Sequence, residues 1–434
     1  MRLTWAQPED LLAHELVQSA AEGKDVSAVR DRWVAAGGDP VPVVSGAGPG
    51  AAELRALARE LLDELDALPS APEPSWDSLG LSAPALPRGG TDRLLGAWTG
   101  RAAGCLLGKP VEKIPRAGIE EILRATGRWP LSGWFTAVGL PAEVSARWPW
   151  NRRSAPTSLE ENIDGMPEDD DLNYPILALT LLETHGRGFG TDDVAQLWLD
   201  NLPAGRVFTA ERAAYRNILD ARADPATYRN PFREWIGALI RADVFGWVCP
   251  GDVVSAARMA WTDARLSHTR NGVYGAMWAA ALASAAMVCA TPDEVLDAAE
   301  AVIPAGSALA SAVALGRSAA LSGDVRVGLD QLHAAYGDLH WVHVLNNAAV
   351  IAYALAKGGG EFGPSVSIAV TAGWDTDSAA ATVGGVVGAL RGVEGIGEYW
   401  TKPLDGRIAT SLPGGERQIA DLAARTAALV EVTS

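Results

Sequence analysis

Only three cysteines, Cys105, Cys249 and Cys289, occur in the 434 residues, far apart and odd in number. Neither a disulfide framework nor a paired-cysteine metal knuckle can be built from them. Basic residues are also scarce: 36 Lys and Arg face 53 Asp and Glu, a formal net charge of −17. A phosphate-tracking nucleic-acid binder needs clustered Lys and Arg, and docking on an anionic membrane needs the same. Neither partner is expected. The opening, MRLTWAQPEDLL, lacks the basic-then-apolar order of a secretory signal, so a reducing cytoplasm is the expected location. There is no Gly-x-Gly-x-x-Gly, P-loop or nucleophile elbow, which excludes dinucleotide, ATP and serine-hydrolase chemistry. Strong apolar runs are missing too. The uncharged stretch Asn271 to Pro292 is long enough to span a bilayer, but it is built of Ala, Gly and Ser with few Leu, Ile or Phe. Small residues all round a helix suit close packing inside a protein, so a buried helix is expected there.

No alternating β pattern runs for more than a few residues. Residues 1–68 read as a helical extension, in which Leu54, Leu57, Leu61, Leu65 and Leu68 recur at three- and four-residue spacing. Residues 69–90 are rich in Pro and Gly and read as a linker. Residues 91–434 form the main domain, a succession of Ala-rich helical patterns separated by Gly, Pro and Asp. The expected class is all-α. Among aromatics Trp dominates, 16 against 7 Tyr and 6 Phe. Trp129, Trp134, Trp148 and Trp150 fall in a loop region, 127–165, where indoles can either stack on a sugar or base or pin the loop to the core.

Chemistry concentrates in two short acidic motifs. Glu168, Asp169, Asp170 and Asp171 directly precede a long apolar helical run. Four adjacent carboxylates repel one another, and a helix start supplies only part of the counter-charge. The second motif is Trp374-Asp375-Thr376-Asp377-Ser378, after Gly373. Residues two apart on a helix diverge, so Asp375 and Asp377 converge only in a loop or at a helix start. Ala380, Gly384 and Gly388 then recur every four residues, as do Ala381, Gly385 and Ala389, which places this helix among close neighbours. Burying such carboxylates without partners costs several kcal/mol each. A metal removes the conflict, and an oxygen-only donor set suits Mg²⁺, Mn²⁺ or Ca²⁺ better than Zn²⁺ or Cu²⁺. Five or six oxygens are enough for two ions.

Several segments together resemble the ADP-ribosylglycohydrolase family, whose best-known members remove ADP-ribose from modified proteins. RLLGAWTGRAAGCLLGKPVE (93–112) is similar to that family's Gly-rich first helix. Residues 168–171 stand where the family has Thr-Asp-Asp-Thr, and LALTLLE (177–183) follows in its register. SHTRNGVYGAMWAAALASAA (267–286) resembles its His-containing helix, and residues 374–378 its late Gly-Asp-Thr-Asp-Thr. The resemblance covers about residues 91–392. It implies an all-α fold around a binuclear Mg²⁺ or Mn²⁺ centre, with Glu168, Asp169, Asp170, Asp375, Asp377 and Ser378 as ligands. It also implies water attack at the anomeric carbon of a ribose, with Glu112 on a flap near the substrate.

The departures from the family pattern are chemical. Glu-Asp-Asp-Asp adds two negative charges, which would hold divalent ions harder or leave Asp171, beside Asp170, as a general base. Cys105 replaces an Asp, and Trp374 replaces a Gly next to the late acids, narrowing the pocket. Substrate contacts are expected from Glu112, Glu161, Asn162, His268, Trp374 and Asn347. His268 also reads as a core or capping histidine, and His340 and His343 lie in a polar stretch before a helix. The expected substrate is an ADP-ribosylated protein or a small ADP-ribosyl or nucleoside-like compound. Two rivals remain: a non-catalytic ADP-ribose-type binder, and a Mg²⁺-dependent all-α lyase, which Asp169, Asp170 and Asn173 loosely imitate.

Overall fold

Four-residue glycine spacing builds the centre of the molecule. The computed structural model describes residues 5–42, 52–87 and 89–430, and over them the chain is all-α. The single sheet among the described residues is a hairpin of two short strands, β1 (Arg407–Ile408) and β2 (Arg417–Gln418). The helices that matter below are α1 (Pro8–Ala21), α2 (Ser27–Ala35), α3 (Arg55–Ala67), α4 (Leu94–Gly108), α5 (Asp170–His185), α6 (Arg270–Ala286), α7 (Val344–Lys357), α8 (Phe362–Thr371) and α9 (Thr376–Ile396).

Helices α4 and α9 run antiparallel in backbone contact. Gly96, Gly100, Gly104 and Gly108 of α4 face the backbone of Gly388, Gly384, Ala380 and Thr376 in turn. A Cβ at any of these α4 positions would approach a facing carbonyl oxygen closer than 3.0 Å, which real Cβ atoms essentially never do. Of the two small-residue faces on α9, the Ala380, Gly384 and Gly388 face makes this seam. The apolar length of α9 would suffice to cross a membrane, yet two-thirds of its most apolar window is buried inside the protein. The uncharged stretch after Asn271 lies mostly in α6, which is buried along nearly its whole length, including Trp278 and Met277.

The Trp-rich loop region contains short helical turns at Ala142–Arg147 and Ala155–Ser158. Its indoles pin it down. Trp134 packs against Trp400 and Tyr399, Trp150 against Phe135, and Trp148 Nε1 donates to Glu121 at 2.6 Å. Trp129 lies under the Arg124 guanidinium, 4.9 Å from its ring centre.

The N-terminal helices dock on the segment before α6 through buried charge. Arg233 meets Glu15 at 2.9 Å and Glu22 at 2.6 Å, and Gln18 donates to Glu234 at 2.9 Å. Trp5 and His14 pack edge-on against Phe232 and Trp235. Removing Arg233 would strand two buried carboxylates, so Arg233→Ala is expected to cost about 3–5 kcal/mol in urea unfolding. A loss below about 1 kcal/mol would mean the pair behaves like an exposed one. His14 adds a pH dependence, because burial lowers its pKa from 6.5 to about 4. The folded chain refuses a proton that the unfolded chain accepts, so this stability is complete above about pH 6.5 and declines toward pH 4. Urea titrations of His14→Phe at pH 7.5 and 5 should show a smaller difference than the parent; an equal difference would clear this ring of the role.

Candidate metal centre

Two helix N-termini carry the acids. Asp169 caps α5 with extended backbone, φ −153° and ψ 150°, and its Oδ1 accepts from Asp171 N at 2.9 Å. That is the ordinary reason an Asp sits at such a position. Asp375 occupies the N-cap position of α9 without a side-chain cap bond, and Asp377 lies in its first turn. Both acid pairs therefore occupy the positive ends of helix dipoles.

The turn from α8 into α9 is sharp, with Gly373 at φ 78° and Trp374 at φ 65°. Left-handed backbone costs a Trp roughly 1–2 kcal/mol that a Gly avoids. Stacking offsets it: the Trp374 and His333 rings lie 4.0 Å apart at 18°, and His333 Nε2 donates to Ala372 O at 2.8 Å. Asn347 of α7 ties the same turn. Its Nδ2 donates to Trp341 O and His343 O, both at 2.9 Å, while its Oδ1 accepts from Asp375 N at 3.3 Å. Thr376 Oγ1 donates to Gly108 O at 2.8 Å, so the start of α9 sits against the end of α4. Glu112 follows directly in chain order and is thereby delivered to the late acids.

Two ligand-like groups result. Glu112, Asp375 and Asp377 bring one carboxylate oxygen each within 4.8 Å of one another; Cys105, Asp169 and Asp171 bring a thiol and two carboxylates equally close. The second group already holds fixed cations. Lys109 Nζ bonds the Asp169 carboxylate and donates to Glu168 O at 3.2 Å. Arg101, wholly buried, reaches Asp171 Oδ1 at 3.4 Å and Asp243 Oδ2 at 2.7 Å, and also bonds Ile240 O. Ser378 Oγ donates to Asp171 Oδ2 at 3.2 Å, with Cys105 Sγ 3.8 Å from the same oxygen. Glu112, in the first group, accepts from Asn151 Nδ2 and lies 3.6 Å from the half-exposed Lys113.

The charge pattern follows. Burial, then neighbouring acids, pushes Asp170 and Asp375 well above the usual carboxylate range and raises Asp377. Burial, with the Asp377 charge, raises Glu112 to about 7. Burial also raises Asp171 well above its usual value despite Arg101. For Asp169 burial acts the same way, but the Lys109 ammonium overrides it and the pKa ends below normal. Three crowded carboxylates of hard oxygen at Glu112, Asp375 and Asp377 are chemically suited to a divalent cation, which would reverse these shifts.

The remaining expected residues are placed as follows. Glu168 turns from the other acids: it pairs with Arg206 at 3.0 Å and accepts from Ser411 N at 3.1 Å. It lines a cavity of about 350 Å³ with Asn162, Asp164, Arg407 and Glu416. Glu161 is exposed and braces the loop by accepting from Thr136 Oγ1 at 2.8 Å and Ala137 N at 2.9 Å. The expectation that His268 contacts substrate is corrected by its surroundings. Its ring is sealed in the core at 1% exposure, with Nδ1 2.8 Å from Ser267 Oγ in the Arg241–Glu211–Asp263 network, and burial drives its pKa well below 6.5. Trp374 is buried with one face covered by His333, so it cannot offer that face for stacking. Asn347 spends its amide on backbone groups, and Asp171 has both oxygens engaged internally.

Sequence reasoning passed over Arg101, Lys109 and Asp243. Arg101 carried a signal, since it is the one charge in LLGAWTGRAAGCLLG. A guanidinium inside an apolar helix demands an internal carboxylate. Lys109 had no such signal, because a lysine at a helix end usually faces water.

Against known proteins, the family model described as ADP-ribosylglycohydrolase matches residues 86–433. Among solved structures, one described as an ADP-ribosylglycohydrolase-related protein complex aligns with a TM-score of 0.51 and 21% identity, covering 78% of this chain and 97% of that chain. Likeness at that identity concerns the fold. No curated protein matches.

Proposed function

We propose, for a chain that belongs to the ADP-ribosylglycohydrolase family, a divalent-metal-dependent hydrolysis of a glycosidic bond to ribose. The substrate is an ADP-ribosylated protein or a small ADP-ribosyl or nucleoside-like compound, met in the cytoplasm without nucleic acid or membrane. The observation that carries this reading is the convergence of Glu112, Asp375 and Asp377 within 4.8 Å at the junction of α4 and α9. These three would hold Mg²⁺ or Mn²⁺. When bound, such an ion supplies positive charge that lowers the pKa of water and orients ribose hydroxyls.

The chain's own residues do the rest. Asn347 and the Trp374–His333 stack fix the turn that presents Asp375. Asn151 and Lys113 orient the Glu112 carboxylate. Asp170, beside Glu112 and Asp377, takes the proton of the attacking water; Asp171, locked by Arg101 and Ser378, braces α5 against α4 and α9 instead. The cavity beside Glu168, at about 350 Å³, has the volume of a small-ligand site.

Release of free ribosyl product from ADP-ribosylated peptides, ADP-ribose derivatives and nucleosides, each with Mg²⁺ or Mn²⁺, tests the reading. Turnover of at least one class that stops on chelation is expected. Tight binding without turnover by either metal would make the protein a ligand-binding member of its family.

A further inference from the structure

We propose that Lys109 is the resident cation of the Asp169–Asp171 pair, so that this chain takes one divalent ion, at Glu112, Asp375 and Asp377. The proposal rests on the metal reading above and revises its expected stoichiometry of two. Lys109 ends the glycine seam, where the close approach of α4 and α9 leaves it 5% exposed. All four oxygens of the pair already accept a bond. Asp169 Oδ1 takes Asp171 N at 2.9 Å and Oδ2 takes Lys109 Nζ. Asp171 Oδ1 takes Arg101 Nη2 at 3.4 Å and Oδ2 takes Ser378 Oγ at 3.2 Å.

A divalent ion placed here would displace these donors and sit beside two buried like charges, Lys109 and Arg101. Each of these acids already has a fixed cation: Lys109 answers Asp169, and Arg101 lies between Asp171 and Asp243. At Glu112, Asp375 and Asp377 the balance is the opposite. Three carboxylates face one another, and the nearby cation, Lys113, keeps a side chain 40% exposed and 3.6 Å from Glu112. One ion there completes the neutralisation.

Equilibrium dialysis of the full-length chain with Mn²⁺, followed by metal analysis and electron paramagnetic resonance, tests this without an activity assay. One Mn²⁺ per chain with the spectrum of an isolated ion is expected. Lys109→Met should admit a second Mn²⁺ and produce an exchange-coupled spectrum, while Lys109→Arg, keeping the charge, should stay at one. Two coupled ions in the parent chain overturn the proposal, as does a Lys109→Met chain that stays at one. No bound Mn²⁺ in any of them would instead sink the metal reading itself. Should Lys109→Met fail to fold, the parent stoichiometry still decides.

Discussion

Asp375→Asn is expected to abolish divalent-ion binding in calorimetry and to lower turnover by a factor on the order of 10³, while leaving the metal-free protein at least as stable as the parent. The two halves have one cause. Burial and Asp377 raise the Asp375 pKa well above its unfolded value. Such a group favours the folded state at low pH and withdraws that support as pH rises past the ordinary carboxylate range. Its ionisation therefore opposes folding until a cation arrives. Asn removes the charge and keeps the shape, so the thermal midpoint without metal should hold or rise, and the rise on adding Mn²⁺ should vanish. A variant that binds Mn²⁺ as the parent does would remove Asp375 from the site; one that unfolds would show the carboxylate to be structural.

Gly104→Ala should prevent stable folding, a loss above about 4 kcal/mol from a single methyl. The new Cβ would meet the carbonyl of Ala380 and the amide nitrogen of Ala381, backbone atoms that no rotamer change can clear. Separating α4 from α9 would also pull Gly108 from Thr376 Oγ1 and Glu112 from Asp375 and Asp377. Gly205→Ala is the control, because its Cβ would meet nothing within 4 Å. Circular dichroism melts of both variants check the contrast. A Gly104→Ala chain that melts like the control would show that the seam can open without cost.

The acids were readable because both motifs are contiguous in sequence and precede unmistakable helical runs. Asp169, Asp170, Asp375 and Asp377 all lie at helix starts, where carboxylates belong. The four-residue rhythm of Gly384 and Gly388 announced a close helix pair, though the partner, α4, was set only by the matching rhythm from Gly96 to Gly108. Of the two readings open for His268, substrate contact and core histidine, the surroundings favour the core one. A histidine before a helix looks available until Arg241, Glu211 and Asp263, from other segments, close around it.

Sequence alone determined the all-α class, the net acidity and the two runs of carboxylates before helices, because each depends on composition or spacing along one segment. Tertiary structure decided how those carboxylates divide. Glu112 joins Asp375 and Asp377, whereas Asp169 and Asp171 fall to Lys109 and Arg101, and Glu168 turns to Arg206. Which cation answers which carboxylate depends on how closely α4, α5 and α9 approach. That distance is governed by bare backbone on glycine rather than by any charged residue in the motifs.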